Sequence, residues 1–162
     1  MMKRYMVLSL VIACLILPLL HPQVGRAVRP VEGPRFAGTQ QKVRFAPLHI
    51  YLDSGNKLLA AYQFELKAAA GQIKIVGVEG GQHPAFKEAP YYDPAALAND
   101  RIIIAAFNTG SDLPTGRTRI ATIHLQIIGD IEPEYELELS VTADADGDEI
   151  SAEISFEKGE QK

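Results

Sequence analysis

The stretch "LHIYLDSGNKLLAAYQFEL", residues 48–66, decides the fold class. In its first half, Leu48, Ile50 and Leu52 alternate with His49 and other polar or amphipathic residues. An apolar residue at every second position is typical of a strand with one buried face. In the second half, the alternating set is Leu58, Ala60, Tyr62, Phe64 and Leu66. The Ser-Gly-Asn sequence between the halves favours a turn, so the stretch predicts two half-buried strands.

The same period recurs along the rest of the chain. Further strands are predicted at "QIKIVGVEGG", "RIIIAAF", "RTRIATIHLQIIG" and "EYELELSVT", and in a last run at 150–157. The run 101–107 is apolar on both faces, which predicts a central strand that is covered on both sides, or one near the middle of a sandwich. One short helix is expected at 93–98, capped by Asp93 with Pro94 at its first position. About seven short strands without helical periodicity predict an all-β protein, an antiparallel β-sandwich.

The first 27 residues predict an export segment. Lys3 and Arg4 precede an apolar run at 5–20, and small residues around Ala27 suit a signal peptidase. Two alternatives stay open: an uncleaved anchor, in which 5–20 contacts the membrane, and a lipoprotein lipidated at Cys14. All three place the body outside the cytoplasm, in the periplasm, at the cell surface or in the medium. The rest is predicted to be a Pro/Gly spacer at 28–46, one domain at 47–158 and a tail at 159–162.

Composition narrows the function classes. Cys14 is the only cysteine, so cleavage after Ala27 would leave no disulfide, catalytic thiol or cysteine-ligated metal. Cleavage would also lower the basic count from 16 to 13 against 20 acidic residues, for a net charge of −7. An acidic surface argues against nucleic acid and anionic membranes as partners.

The order of the segments resembles a known family. "LAAYQFELKA", "IKIVGVEGG", "YYDPAAL", "DRIIIAAFNTG" and "GRTRIATIHLQI" follow one another as in the bacterial cohesin-type domain. That Ig-like, jelly-roll-type sandwich is related to carbohydrate-binding modules. The resemblance implies a cohesin-like fold and binding on a sheet face. Cohesins commonly carry Tyr-Asp-Pro directly after the early core strand, whereas Tyr92-Asp93-Pro94 comes later here, so a cellulosome role is not implied.

The stretch "TADADGDEIS", residues 142–151, suggests the one cofactor considered, calcium. Asp144, Asp146 and Asp148 have the spacing of the first ligands of an EF-hand, but Glu149 occupies the sixth position, where glycine is needed. Gly147 instead suits a tight hairpin turn between alternating runs. The hairpin is the preferred interpretation, with a calcium site as the alternative.

Acidic residues form a predicted stripe on one strand. Glu134, Glu136 and Glu138 share a face, and a closed last hairpin would place Glu153 and Glu157 beside them. Adjacent like charges repel, so such a face stays solvated, meets Lys or Arg from another strand, or binds a cation or a basic partner.

An aromatic loop supplies the second candidate surface. Phe86, Tyr91 and Tyr92 lie among three prolines at 84, 90 and 94. Stiffened aromatics can form an adhesive patch for a protein or glycan. They can equally fold back as a lid over the open end of the sandwich.

Catalytic patterns are missing from the sequence. The chain has no G-x-S-x-G motif and no pair of histidines at a zinc spacing. The sequence therefore predicts a non-enzymatic, exported module that binds a protein or a cell-envelope component. A polysaccharide-binding module dependent on Tyr91 and Tyr92 is the alternative, weakened by the lack of tryptophan, and a hydrolase that uses acidic residues is the third hypothesis.

Overall fold

The computed structural model describes residues 41–160, and the predicted export segment and most of the spacer lie outside them. Short 3-10 helices cover Pro84–Phe86 and Pro94–Ala96. The eight strands are β1 Val43–Asp53, β2 Ala61–Ala70, β3 Gln72–Gly80, β4 Tyr91–Tyr92, β5 Arg101–Phe107, β6 Arg117–Ile128, β7 Glu134–Ala143 and β8 Glu153–Lys158.

The strands form two four-stranded antiparallel sheets. Sheet A has the order β3-β6-β1-β8, and sheet B has the order β4-β5-β2-β7. The antiparallel β-sandwich predicted from the sequence is confirmed. Strands β1 and β2, which the opening stretch joins by a turn, lie in different sheets, so that turn carries the chain from one layer to the other.

One hydrophobic core lies between the sheets. Tyr62 is the only fully buried tyrosine among residues 41–160, and its hydroxyl donates a hydrogen bond to the Ile120 carbonyl at 3.0 Å. Burial raises the pKa of this phenol far above its usual value, because the charged form would be poorly solvated. Most residues that the period-two pattern assigns to the inside are buried, namely Leu48, Ile50, Leu52, Tyr62, Phe64, Leu66, Ile73, Ile75, Ala121, Ile123, Leu125 and Ile127.

Two bulges alter the predicted faces. In β6, Ile50 pairs with Ala121 and Tyr51 pairs with Arg119, so the extra residue Ile120 is buried next to Ala121. A second register shift between β2 and β7 places Val141 on the outer face, although the alternation predicted it to be inside.

Three further expectations need correction. Strand β1 begins at Val43, four residues before the predicted start of the domain. Strand β5 is covered on its inner face only, because Ile103 and Phe107 are exposed. The last hairpin is not closed: after one bridge between Ala143 and Glu149, the chain crosses to sheet A, where β8 pairs with β1.

The loop between β3 and β5 is fixed by local hydrogen bonds. The carboxylate of Asp93 accepts a bond from the Ala95 amide at 2.9 Å and caps the Pro94–Ala96 helix. The predicted helix is therefore present, shortened to a single turn. Asn108 donates a side-chain bond to the Ala85 carbonyl, which ties the first part of this loop to the end of β5.

Candidate functional site

The outer face of sheet B carries a cluster of exposed apolar side chains, here called the aromatic face. It consists of Tyr91 on β4, Ile103 and Phe107 on β5, and Val141 on β7. Tyr91 is 68% and Phe107 is 64% exposed, values that are rare for aromatic residues in a folded domain. Several large apolar groups exposed on one sheet face are typical of an interaction surface.

Strand pairing brings the two rings of the aromatic face together. Tyr91 pairs with Ala105, so its side chain lies beside Phe107, two residues further along β5. The ring centroids are 6.0 Å apart and the ring planes differ by 10°. The small side chain of Ala105 lies between Tyr91 and Gln63 of β2 in the sheet, so the rings rise above a shallow floor.

The three aromatic residues predicted to bind differ in their exposure to solvent. Phe86 is 3% exposed and packs edge-on against the Tyr62 ring at 5.1 Å, so it takes the lid role and offers no surface to a partner. Tyr92 is half-buried against the core. Of these three, only Tyr91 is exposed, and Phe107, which sequence reasoning missed, is its neighbour. The signal was present in "RIIIAAF", whose second apolar face was interpreted as buried.

The charged half of the same sheet face contains the predicted acidic stripe. Glu134, Glu136 and Glu138 are all exposed on β7. Glu136 accepts a 2.8 Å bond from the Lys67 ammonium, which raises the pKa of that lysine. Of the open alternatives, pairing with a basic residue of another strand therefore applies to Glu136.

A second ion pair lies in the next row of sheet B. Arg101 donates two 2.6 Å bonds to the carboxylate of Glu65, and this hydrogen bonding lowers the pKa of Glu65. Glu138 pairs with Glu65 across the strands and adds to the field that raises the pKa of Arg101. The face thus has an apolar half and a half with mixed charges.

The predicted neighbours of the acidic stripe lie elsewhere. Because β8 pairs with β1, Glu153 and Glu157 belong to sheet A, and their expected place beside Glu134–138 is wrong. Glu157 accepts a 2.7 Å bond from Arg117 of β6.

The aspartate-rich stretch forms a turn. The Asp144 carboxylate accepts bonds from the backbone amides of Asp146 and Asp148 at 3.1 and 3.0 Å, and Gly147 has a φ of 86°. Within residues 41–160, no three His, Cys, Asp or Glu side chains are placed to hold a metal ion. Calcium binding by Asp144, Asp146 and Asp148 stays a prediction. The bonds of Asp144 fit the turn interpretation, in which these aspartates only turn the chain, although the long strands on either side do not pair as the predicted hairpin required.

Replacing Asp144 by alanine is expected to lower the free energy of unfolding by about 1–2 kcal/mol, because two backbone amides lose their acceptor. Asp146→Ala is the matched control, since its side chain accepts no hydrogen bond among the described residues, and we expect a change within about 0.5 kcal/mol. Both values come from urea unfolding, repeated with calcium and with chelator. A calcium-dependent rise in midpoint that Asp146→Ala abolishes would contradict the turn interpretation and establish an ion site.

Comparisons with known proteins identify no relative of this chain. No family model matches the chain, and no significant match is found among curated proteins or solved structures. The cohesin resemblance therefore stays a prediction. Within residues 41–160, no helix is long and apolar enough to cross a membrane.

Proposed function

We propose that this chain is an exported, non-enzymatic binding module that binds a protein partner through the aromatic face. The observation that carries the proposal is the exposed, parallel pair of Tyr91 and Phe107. Aromatic side chains contribute large contact areas at low entropic cost, and they dominate the energetics of protein interfaces.

The aliphatic members of the face favour a protein over a sugar. Ile103 and Val141 are about half exposed and flank the ring pair. They can pack against apolar side chains of a partner but give a sugar ring no π-face on which to stack. The adjoining ion pair between Arg101 and Glu65 supplies the polar rim that such interfaces have around their apolar centre.

Crosslinking from the face tests the proposal. A photoreactive phenylalanine analogue at position 107 of the full chain, expressed in its native cells, is expected to give one discrete product, and Ile103→Ser should abolish it. Position 45 is the control, because Phe45 is 50% exposed on β1 of the other sheet. The partner, identified by mass spectrometry and purified, should bind at least about tenfold more weakly to Phe107→Ser than to Phe45→Ser, as expected for a central aromatic contact. Equal products from both positions, or none from position 107, would refute the proposal.

A glycan is the second candidate ligand, and the ring pair itself favours it. Two rings whose planes differ by only 10° offer neighbouring stacking surfaces to a sugar chain. Sedimentation of the protein with insoluble cellulose, chitin or peptidoglycan would favour this candidate only if Tyr91→Ala and Phe107→Ala each abolished it while Phe45→Ala did not.

A further inference from the structure

A groove runs along β5 beside the aromatic face. Strand β4 has two residues only, and they pair with Ala105 and Ile104. On the same side, β5 has no paired neighbour along Arg101, Ile102 and Ile103 within residues 41–160. A cavity of about 650 Å³ lies there, bounded by Tyr91, Ile103, Ala96 and Asp100 among others. An unpaired strand edge at the floor of a groove is a template for an added strand.

The far wall of the groove is held in place by sheet A. The Ala98 amide donates to the Ile75 carbonyl at 2.7 Å, and the Ile75 amide donates to the Asn99 carbonyl at 2.8 Å. Ala98 has a φ of 70°, a left-handed conformation that a non-glycine residue adopts only when its surroundings impose it. The Asn99 side chain also bonds to the Ala95 carbonyl at 2.7 Å. The groove is therefore formed before a ligand arrives, which lowers the entropic cost of binding.

The charges of the groove specify its occupant. The guanidinium of Arg101 is engaged by both oxygens of Glu65. Asp93 and Asp100 are exposed carboxylates in the lining, and neither forms an ion pair with another described residue. The groove thus combines apolar walls, an unpaired strand edge and two carboxylates.

We infer that a partner protein binds here by strand addition, with an extended segment of apolar residues and at least one Lys or Arg that pairs with β5 in continuation of β4. This inference rests on the proposed function, because it describes how part of the same partner contacts sheet B. The backbone bonds give affinity, the apolar side chains contact Ile103 and Tyr91, and the basic residue meets Asp100.

The test uses the purified full chain and a seven-residue peptide in which valine and threonine alternate between two terminal lysines. Two N-methylated versions of the peptide are compared. One carries methyl groups on the odd-numbered backbone amides and the other on the even-numbered ones, so each version blocks the hydrogen bonds of one edge of the strand. Only one edge of an added strand faces β5, so exactly one version should bind at least about tenfold more weakly, because several backbone bonds are lost. Hydrogen exchange should show protection at Arg101–Ile103 when the parent peptide binds. Equal binding by both methylated versions would overturn strand addition.

Charge controls separate a specific contact from attraction to an acidic protein. Asp100→Asn is expected to weaken peptide binding about threefold or more, whereas Asp146→Asn, in the turn after β7, should leave it unchanged. Equal losses in both variants would mean general electrostatic attraction and would overturn the inference. Dimerisation of the full chain with protection of 101–103 in the absence of peptide would identify a second copy as the occupant, which also overturns it.

The outcomes distinguish this inference from the proposed function. Peptide binding and crosslinking from position 107 are separate measurements, because position 107 lies beyond the residues of β5 that pair with β4. If the peptide fails to bind while the crosslink from position 107 persists, strand addition is wrong and the aromatic face remains the proposed binding surface.

Discussion

Replacing Phe64 by alanine is expected to lower the free energy of unfolding by about 3–5 kcal/mol, the cost of removing a large aromatic side chain from a packed core. Phe64 is fully buried on β2, which lies between β5 and β7 in sheet B. Its ring lies 6.1 Å from that of Tyr62. Since small domains have a total stability of about 5–15 kcal/mol, this one change can unfold most of the population at 37 °C. Equilibrium urea unfolding, followed by tyrosine fluorescence and far-UV circular dichroism, measures the loss.

The matched control is Phe107→Ala in the neighbouring strand. Phe107 is 64% exposed, so little apolar surface returns to water when its ring is removed, and we expect a change within about 0.5 kcal/mol. Its effect should appear in the crosslinking and binding measurements instead. A loss above about 2 kcal/mol from Phe107→Ala would mean that the ring is structural and would remove the basis of the aromatic face.

The period-two pattern predicted which residues lie inside, because the pleat alone sets which side chains share a face. For Leu48, Ile50 and Leu52 no tertiary information was needed. The pattern carries no information on which strands pair with each other. This explains why the sequence wrongly predicted that β8 pairs with β7. The pairing of β8 with β1 depends on the geometry of the aspartate turn and on closure of the sandwich at Tyr135 and Phe156, whose rings meet edge-on at 5.5 Å.

Bulges were a second source of error. One extra residue in β6 buries both Ile120 and Ala121, and a shift at Ser140 turns Val141 outward. Both bulges depend on the pairing register of two strands, and the apolar pattern of a single strand does not specify that register.

The candidate site was predictable only in part. Tyr91 was identified because proline-stiffened aromatics stand out in a sequence. Phe107 was missed because a strand that is apolar on both faces has two explanations, burial by a second layer or an exposed binding face. Sheet B has no second layer on that side within residues 41–160, so Ile103 and Phe107 are exposed on its outer face.

Replacing Gly81 by alanine is expected to cost about 2 kcal/mol or more, because the new methyl group would overlap rigid backbone. A Cβ at Gly81 would lie far inside van der Waals contact of the Arg119 carbonyl oxygen, and of the Ile120 Cα as well. The Gly81 amide also donates a 2.7 Å bond to the Phe86 carbonyl, so the residue cannot move away without loosening the lid.

Gly77→Ala is the matched control for this clash, since Gly77 lies in β3, Gly81 directly follows the end of β3, and neither has a positive φ. A Cβ at Gly77 would meet only the His124 ring, at the ordinary distance of 3.7 Å. We expect it to be neutral or slightly stabilising, because alanine restricts the unfolded chain more than glycine does. Chemical denaturation should therefore give Gly81→Ala a clearly lower midpoint than the parent. The midpoint of Gly77→Ala should equal that of the parent or lie slightly above it. Equal midpoints would contradict the predicted clash and would mean that the backbone around Gly81 moves to accommodate the methyl group.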